Sequence, residues 1–164
     1  MDLAAFSAPF ARARRLGFRT TMHLGEEGPV GDIRTGVHDI GVERIDHGIC
    51  LLDDRALLDE VVERRIALTM CPTSNVSIGL VDSVADHPIM RMRDAGVTVT
   101  VNSDNAEMFG IDLTDEFCNL RDAFGLSMAD IEDLCLAGVD ASWTDADEKR
   151  TMRHEFLAEI ERLR

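Results

Sequence analysis

The chain has 164 residues, enough for one domain of ordinary size and cramped for two. Its 45% hydrophobic content supports a core and excludes wholesale disorder. Seventeen basic residues against 31 acidic ones give a net charge of -14, a field that repels phosphate backbones and anionic lipid and so disfavours nucleic-acid or membrane-surface binding. The four cysteines, Cys50, Cys71, Cys118 and Cys135, are never two residues apart, which removes a zinc ribbon and a cysteine-ligated deaminase site. Their thiols read as reduced. A mildly apolar stretch at 3–11 follows Asp2 and precedes arginines, the wrong charge order for a signal peptide. No apolar run approaches the roughly 18 residues of a membrane helix. A soluble, cytoplasmic chain is expected.

In chain order, residues 3–16 carry apolar side chains and arginines at helical spacing and stop at Gly17. A strand-like run at 18–23 leads through Gly25 and Gly28-Pro29 to a helix-like segment at 29–39. After Gly41 comes a second run at 43–47. Asp53 opens an amphipathic helix through Arg64, with Leu57, Leu58, Val61 and Val62 on its buried side. The third strand, 66–71, stops at Pro72 and gives way to a loop containing Gly79. Asp86 is placed to cap a short helix with Pro88 in its first turn and Gly96 at its end. Residues 97–102 alternate valine with threonine and form the cleanest strand pattern. The remainder is helical: 112–124 closed by Gly125, then 128–137 behind a Ser127/Asp130 capping box, then a last helix from Thr144 and Asp147 towards Leu163. No linker or low-complexity tract divides the chain, so 1–164 reads as a single domain.

Strands starting near 18, 43, 66 and 97, with helices between them, predict a parallel sheet, either doubly wound or part of a barrel. A full (β/α)8 barrel takes about 250 residues, so this chain is short by several units. In a parallel sheet all carboxyl ends lie on one edge, where α/β folds bind ligands. Here those ends carry His23 with Glu26, then His47, then Cys71 to Asn75, then Asp104 with Asn105. Imidazoles and carboxylates converging on one rim suit zinc or another first-row metal, with Glu26 a proton donor or acceptor beside it. Each residue also has a plain reading: a satisfied structural histidine, a solvated loop charge, a helix cap.

The four segments together resemble the adenosine deaminase family of zinc-dependent purine aminohydrolases over nearly the whole chain. Thr21 to Glu26 is similar to the family's histidine-x-glycine-glutamate strand end, and Glu43 to Gly48 to its arginine-x-x-histidine-glycine motif. Cys71-Pro72-Thr73-Ser74-Asn75 and Val101-Asn102-Ser103-Asp104-Asn105 match two more, and Ala141-Ser142-Trp143 with the acidic 145–148 resembles the start of its final helix. The resemblance implies that His23 and Asp104 ligate Zn2+. It implies that His47 takes or holds the proton of the attacking water, and that Glu26, as the acid, donates to purine N1. Gly25 and Asn105 would contact the substrate, the Asn105 NH2 serving purine N7 where the family often has an aspartate. The implied reaction is adenosine to inosine and ammonia. Adenine and aminodeoxyfutalosine deaminases are the alternatives within the same chemistry, and a non-catalytic half-barrel assembly or regulatory subunit is the rival of another class.

The family's first strand bears a histidine-x-histidine pair, whereas the five histidines here, at 23, 38, 47, 87 and 154, are never two apart. The match begins at the helix before the fifth strand. The expected fold is thus a partial TIM-type (β/α) barrel of about four parallel strands, five to eight of the family fold, plus carboxyl-terminal helices. Two zinc ligands would hold the ion weakly, and two open sheet edges would invite self-association or a partner chain that completes the barrel. His38, His87 and His154 read as structural or exposed. Cys71 reads as buried and unreactive.

Overall fold

The computed structural model describes residues 3–164; Asp2 lies outside them. Four strands, β1 (Thr21–Leu24), β2 (Arg44–His47), β3 (Ala67–Met70) and β4 (Val99–Val101), form one parallel sheet in the order β1-β2-β3-β4. The register sets His23 opposite Asp46 and Asp46 opposite Thr69. Helices α1 (Ser7–Arg15), α2 (Val30–Thr35), α3 (Arg55–Glu63), α4 (Pro72–Ser77) and α5 (Ile89–Asp94) precede or link the strands. Helices α6 (Ala106–Phe109), α7 (Leu113–Phe124), α8 (Met128–Ala141) and α9 (Ala146–Leu163) follow them. Leu24, Ile45, Leu68 and Val99 from the strands meet Ile33, Leu57, Val61 and Met92 from the helices in one core. The alternating α/β order expected from the sequence is therefore present, with its four strands parallel.

Element ends differ from the sequence reading for identifiable reasons. The first strand begins at Thr21, because the backbone N–H of Thr20 turns to the Glu43 carboxylate (3.2 Å) that also pairs with Arg19. Val97 donates to the Met92 carbonyl at the end of α5, so β4 starts only at Val99. The helix expected at 53–64 is capped by Asp54, whose carboxylate accepts from Leu57 N–H, while Asp53 closes a preceding tight turn. Asp86 does not cap α5; it accepts from Ser83, and the ring of His87 takes the Ile89 N–H instead. Asp145, not Thr144, caps α9. Helix α8 runs on to Ala141, past the expected 137. The capping boxes at Asp112/Asp115 and Ser127/Asp130 both form.

The loop expected after Pro72 is a helix. Proline at its first position suits initiation, but the orphan N–H of Thr73 finds no local cap. It donates to Glu116 of α7, fully buried and 43 residues downstream, at 3.1 Å. Burial, partly offset by the Thr73 bond, holds the Glu116 carboxyl above the usual range. A carboxyl raised in the folded state stabilises most below its unfolded pKa and loses that contribution as pH rises through the folded value. Stability to urea should therefore decline from mildly acidic towards neutral pH, and Glu116→Gln should flatten the decline. An unchanged slope in that variant would reject Glu116 as its source.

On the far side of the sheet, Arg44 at the start of β2 lies over the Trp143 ring (3.9 Å to its centre) and donates to the Ala141 carbonyl at 2.7 Å. Lys149, the sole lysine, donates to the Asp140 carbonyl at 2.6 Å, closing the same seam between α8 and α9.

Candidate functional site at the carboxyl edge of the sheet

Because the strands are parallel, their carboxyl ends open on one cleft of about 500 Å³ whose lining includes His23, Asp46, His47, Cys71 and Asp104. Two of the three non-glycine residues with left-handed backbone among those described are His47 (φ 66) and Asp104 (φ 56). Each strand turns sharply where it delivers its side chain, a conformation that costs energy and concentrates at functional sites. Gly25 (φ 64) does the same behind His23; a Cβ there would come within 2.5 Å of Ile33 Cδ1 and 2.8 Å of Cys50 Sγ. Its requirement is backbone shape and close packing.

His23, Glu26 and His47 come together, one ligand atom of each lying within 4.8 Å of the others. The imidazole of His23 is largely exposed, its ring centre 4.7 Å from that of His47, which is buried. Glu26 Oε2 lies 3.7 Å from His23 Nδ1, and Oε1 lies 3.3 Å from His47 Nδ1. Asp104 stands on the same cleft wall but outside this trio, its Oδ2 accepting from the buried Ser74 hydroxyl at 2.6 Å. Asn105 caps α6 by accepting from Met108 N–H through Oδ1, which leaves its NH2 for another partner.

Sequence reasoning missed three further contributors. Asp46 lies between β1 and β3, one oxygen accepting from both Thr21 (2.8 Å) and Thr69 (2.7 Å). Asn75 is fully buried and reaches Glu26 Oε1 (3.2 Å) and His47 Nδ1 (3.3 Å) with its amide nitrogen. His87, set aside as structural, is buried and bonds Asn75 Oδ1 at 3.1 Å. The polar run Ser74-Asn75 directly after a strand end was the available signal for Asn75. Cys71 is buried, and burial with nearby Asp104 and Glu116 pushes its thiol up to about 12. Its labelling by a thiol reagent in the folded protein should lag far behind that in urea; comparable rates would contradict its burial.

Histidines and carboxylates gathered at the carboxyl edge of a parallel α/β sheet define the class of scaffold that half of a (β/α)8 barrel supplies. The chain belongs to the adenosine deaminase family, whose profile matches residues 2–159. It is 41% identical over 97% of its length to an adenine deaminase of Streptomyces coelicolor, covering 46% of that protein. It is 35% identical over 93% of its length to an adenosine deaminase of Salmonella schwarzengrund, again covering 46%. Among solved structures, an adenine deaminase of Arthrobacter aurescens superposes with a TM-score of 0.92 at 33% identity, over 96% of this chain and 48% of that one. An amidohydrolase of Burkholderia ambifaria with bound zinc superposes with a TM-score of 0.86 at 31% identity, over 96% of this chain and 44% of that one. The chain thus spans about half the length of the relatives it matches. No helix among the described residues is long and apolar enough to cross a membrane.

Proposed function

We propose that the chain carries the carboxyl-terminal half of a zinc-dependent 6-aminopurine deaminase, and that adenine is the first substrate to test, with adenosine next. The observation that carries this reading is the convergence of His23, Glu26 and His47 within 4.8 Å at the rim. The sequence resemblance put adenosine first; the similarity to adenine deaminases favours the free base.

The donor set fits zinc, since neutral imidazole and carboxylate are its common protein ligands. His23 and Asp104 would hold the ion, which when bound makes water available as a nucleophile near neutral pH. Glu26, in acid form, donates to ring nitrogen N1, so that C6 accepts the oxygen of water. His47 takes or holds the proton of that water, and the amino group leaves C6 as ammonia. Asn105, its carbonyl engaged by α6, offers NH2 to N7, while Gly25 would bring its backbone to the substrate, its lack of a side chain being required by Ile33 and Cys50 behind it. The edges of β1 and β4 are where further barrel strands, on the same or another polypeptide, would pair and help to position the purine. The four free thiols suit a reducing, cytoplasmic setting.

The test is ammonia release from adenine and adenosine by the zinc-supplemented chain, alone and with an amino-terminal barrel half from a relative, with His47→Ala as control. Release that vanishes in the control supports the reading, and its absence in the complemented barrel overturns it. For the ligands, His23→Ala and Asp104→Ala are each expected to lower zinc uptake at equilibrium dialysis. Uptake equal to that of the unchanged chain would remove the residue from the metal site.

A further inference from the structure

We propose that the amino edge of the sheet holds a binding site for a small phosphate-bearing anion, built around Arg65. The site lies apart from the carboxyl edge and does not depend on the chemistry assigned there.

The first observation is backbone strain without a local reason. Three described non-glycine residues have left-handed backbone, and two of them, His47 and Asp104, deliver side chains to the carboxyl edge. The third is Arg65, with φ 54. It follows the last turn of α3, where its N–H donates to the Val62 carbonyl and that of Ile66 to the Val61 carbonyl. Glycine fills such a helix stop without strain, so closing the helix does not call for an arginine.

The second observation is where that arginine lies. It lines a cavity of about 600 Å³ at the starts of β2, β3 and β4 and the turn from α8 into α9. Pyrophosphate or a nucleoside monophosphate fits such a volume. Arg19, Arg64, Arg65 and Lys149 line it beside two carboxylates, Glu43 and Asp140, in a chain whose net charge is -14. Both carboxylates are engaged, Glu43 by Arg19 and the Thr20 N–H, Asp140 by Arg153 at 2.6 Å. Arg64 is engaged too, by Glu60 at 2.9 Å. Lys149 donates to the neutral Asp140 carbonyl, and the Arg65 guanidinium has no ion pair among the described residues. Two positive charges therefore stand unmatched on one cavity. The carboxylates of the first turn of α9 lie outside the lining; Asp145 accepts from its own helix and Asp147 pairs with Arg150.

The donor chemistry selects the ligand. A guanidinium fork and an ammonium, with the hydroxyls of Thr98, Ser142 and Thr144 on the same walls, can donate to a tetrahedral oxyanion from several sides. Trp143, 39% exposed, adds a flat apolar surface that a base could cover. An occupant would meet the strands one strand length, about 10–13 Å, from the ends that carry His47 and Asp104. It would bind without touching the purine cleft.

The experiment is a titration of the 15N-labelled, metal-free full chain followed in 1H–15N amide spectra, at ionic strength held constant with NaCl. Pyrophosphate is expected to give saturable shifts at Arg65, Ile66, Thr98 and Ser142 to Thr144, and none at His47 or Asp104. AMP should move the same amino-edge residues, and adenosine, which lacks phosphate, should leave them unmoved. Tighter binding of AMP would identify a nucleotide as the source of the phosphate, and tighter binding of pyrophosphate the free anion; each supports the site. Arg65→Gly removes the cation and the strain together, so it should weaken pyrophosphate binding about tenfold while unfolding about 2–4 °C higher. Lys149→Gln, on a different element, should weaken binding comparably. Shifts reproduced by NaCl alone or by adenosine, no saturable shift at the amino edge, or full affinity in either variant overturns the proposal. Lost binding with a lowered midpoint in Arg65→Gly would make the arginine a support of the fold, and overturns it as well.

Discussion

Replacing Glu26 with glutamine is expected to lower 6-aminopurine turnover in the completed barrel by about 10²–10⁴-fold, with folding and zinc uptake nearly unchanged. Glutamine has the shape of glutamic acid and keeps a carbonyl oxygen for the Asn75 donor that now reaches Oε1 at 3.2 Å. What it lacks is a transferable proton. An amide hydrogen held against N1 polarises the ring weakly and cannot pass to it, so C6 stays a poor acceptor for water. Ammonia release gives the turnover, thermal unfolding checks the fold, and metal analysis of the dialysed protein checks the site. Turnover equal to the unchanged chain would take Glu26 out of the chemistry, and loss of zinc together with turnover would make it a ligand. Glu26 lies half-buried, 3.7 Å from His23 Nδ1 and 3.3 Å from His47 Nδ1.

Leu68→Ala is expected to destabilise the chain by about 2–5 kcal/mol, the range for emptying a buried leucine site. Leu68 sits at the centre of β3 with no exposed surface, paired on either side with Ile45 and Val99. Its methyl groups also press on the turn after β2: a Cβ at Gly48 would lie 2.8 Å from Leu68 Cδ2. The cavity therefore opens beside Gly48, the residue that follows His47 in the turn after β2. At about 2–4 °C per kcal/mol for a chain of this size, the midpoint should fall by roughly 4–20 °C. A shift of under a degree in calorimetry would mean that the layer collapses freely around the loss.

Much of the molecule was legible because its signals are local. The helices at 113–124 and 128–141 announce themselves through Asp112, Ser127 and Gly125, whose capping chemistry needs only neighbours three residues away. The parallel order followed from alternation, and with it the meeting of His23, Glu26 and His47 at one rim. What escaped was set by contacts across the chain. Helix α4 depends on Glu116, and the start of β1 on Glu43. The left-handed turns at His47 and Asp104 leave no mark in sequence, since no glycine stands at either position. Asn75 and His87 escaped for a different reason. Each alone is an ordinary polar residue, and only the fold brings Asn75 to Glu26 and His47, and His87 to Asn75.

The seam behind the sheet makes the protein's ultraviolet optics unusually local. With one tryptophan and no tyrosine, the intrinsic fluorescence comes from Trp143, stacked beneath Arg44 where α8 passes into α9. Emission thus reports that seam, while far-UV dichroism reports all the helices and strands at once. Release of the terminal helix ahead of the sheet would separate the two signals in a single melt, and a cooperative unit spanning both would keep them superposed.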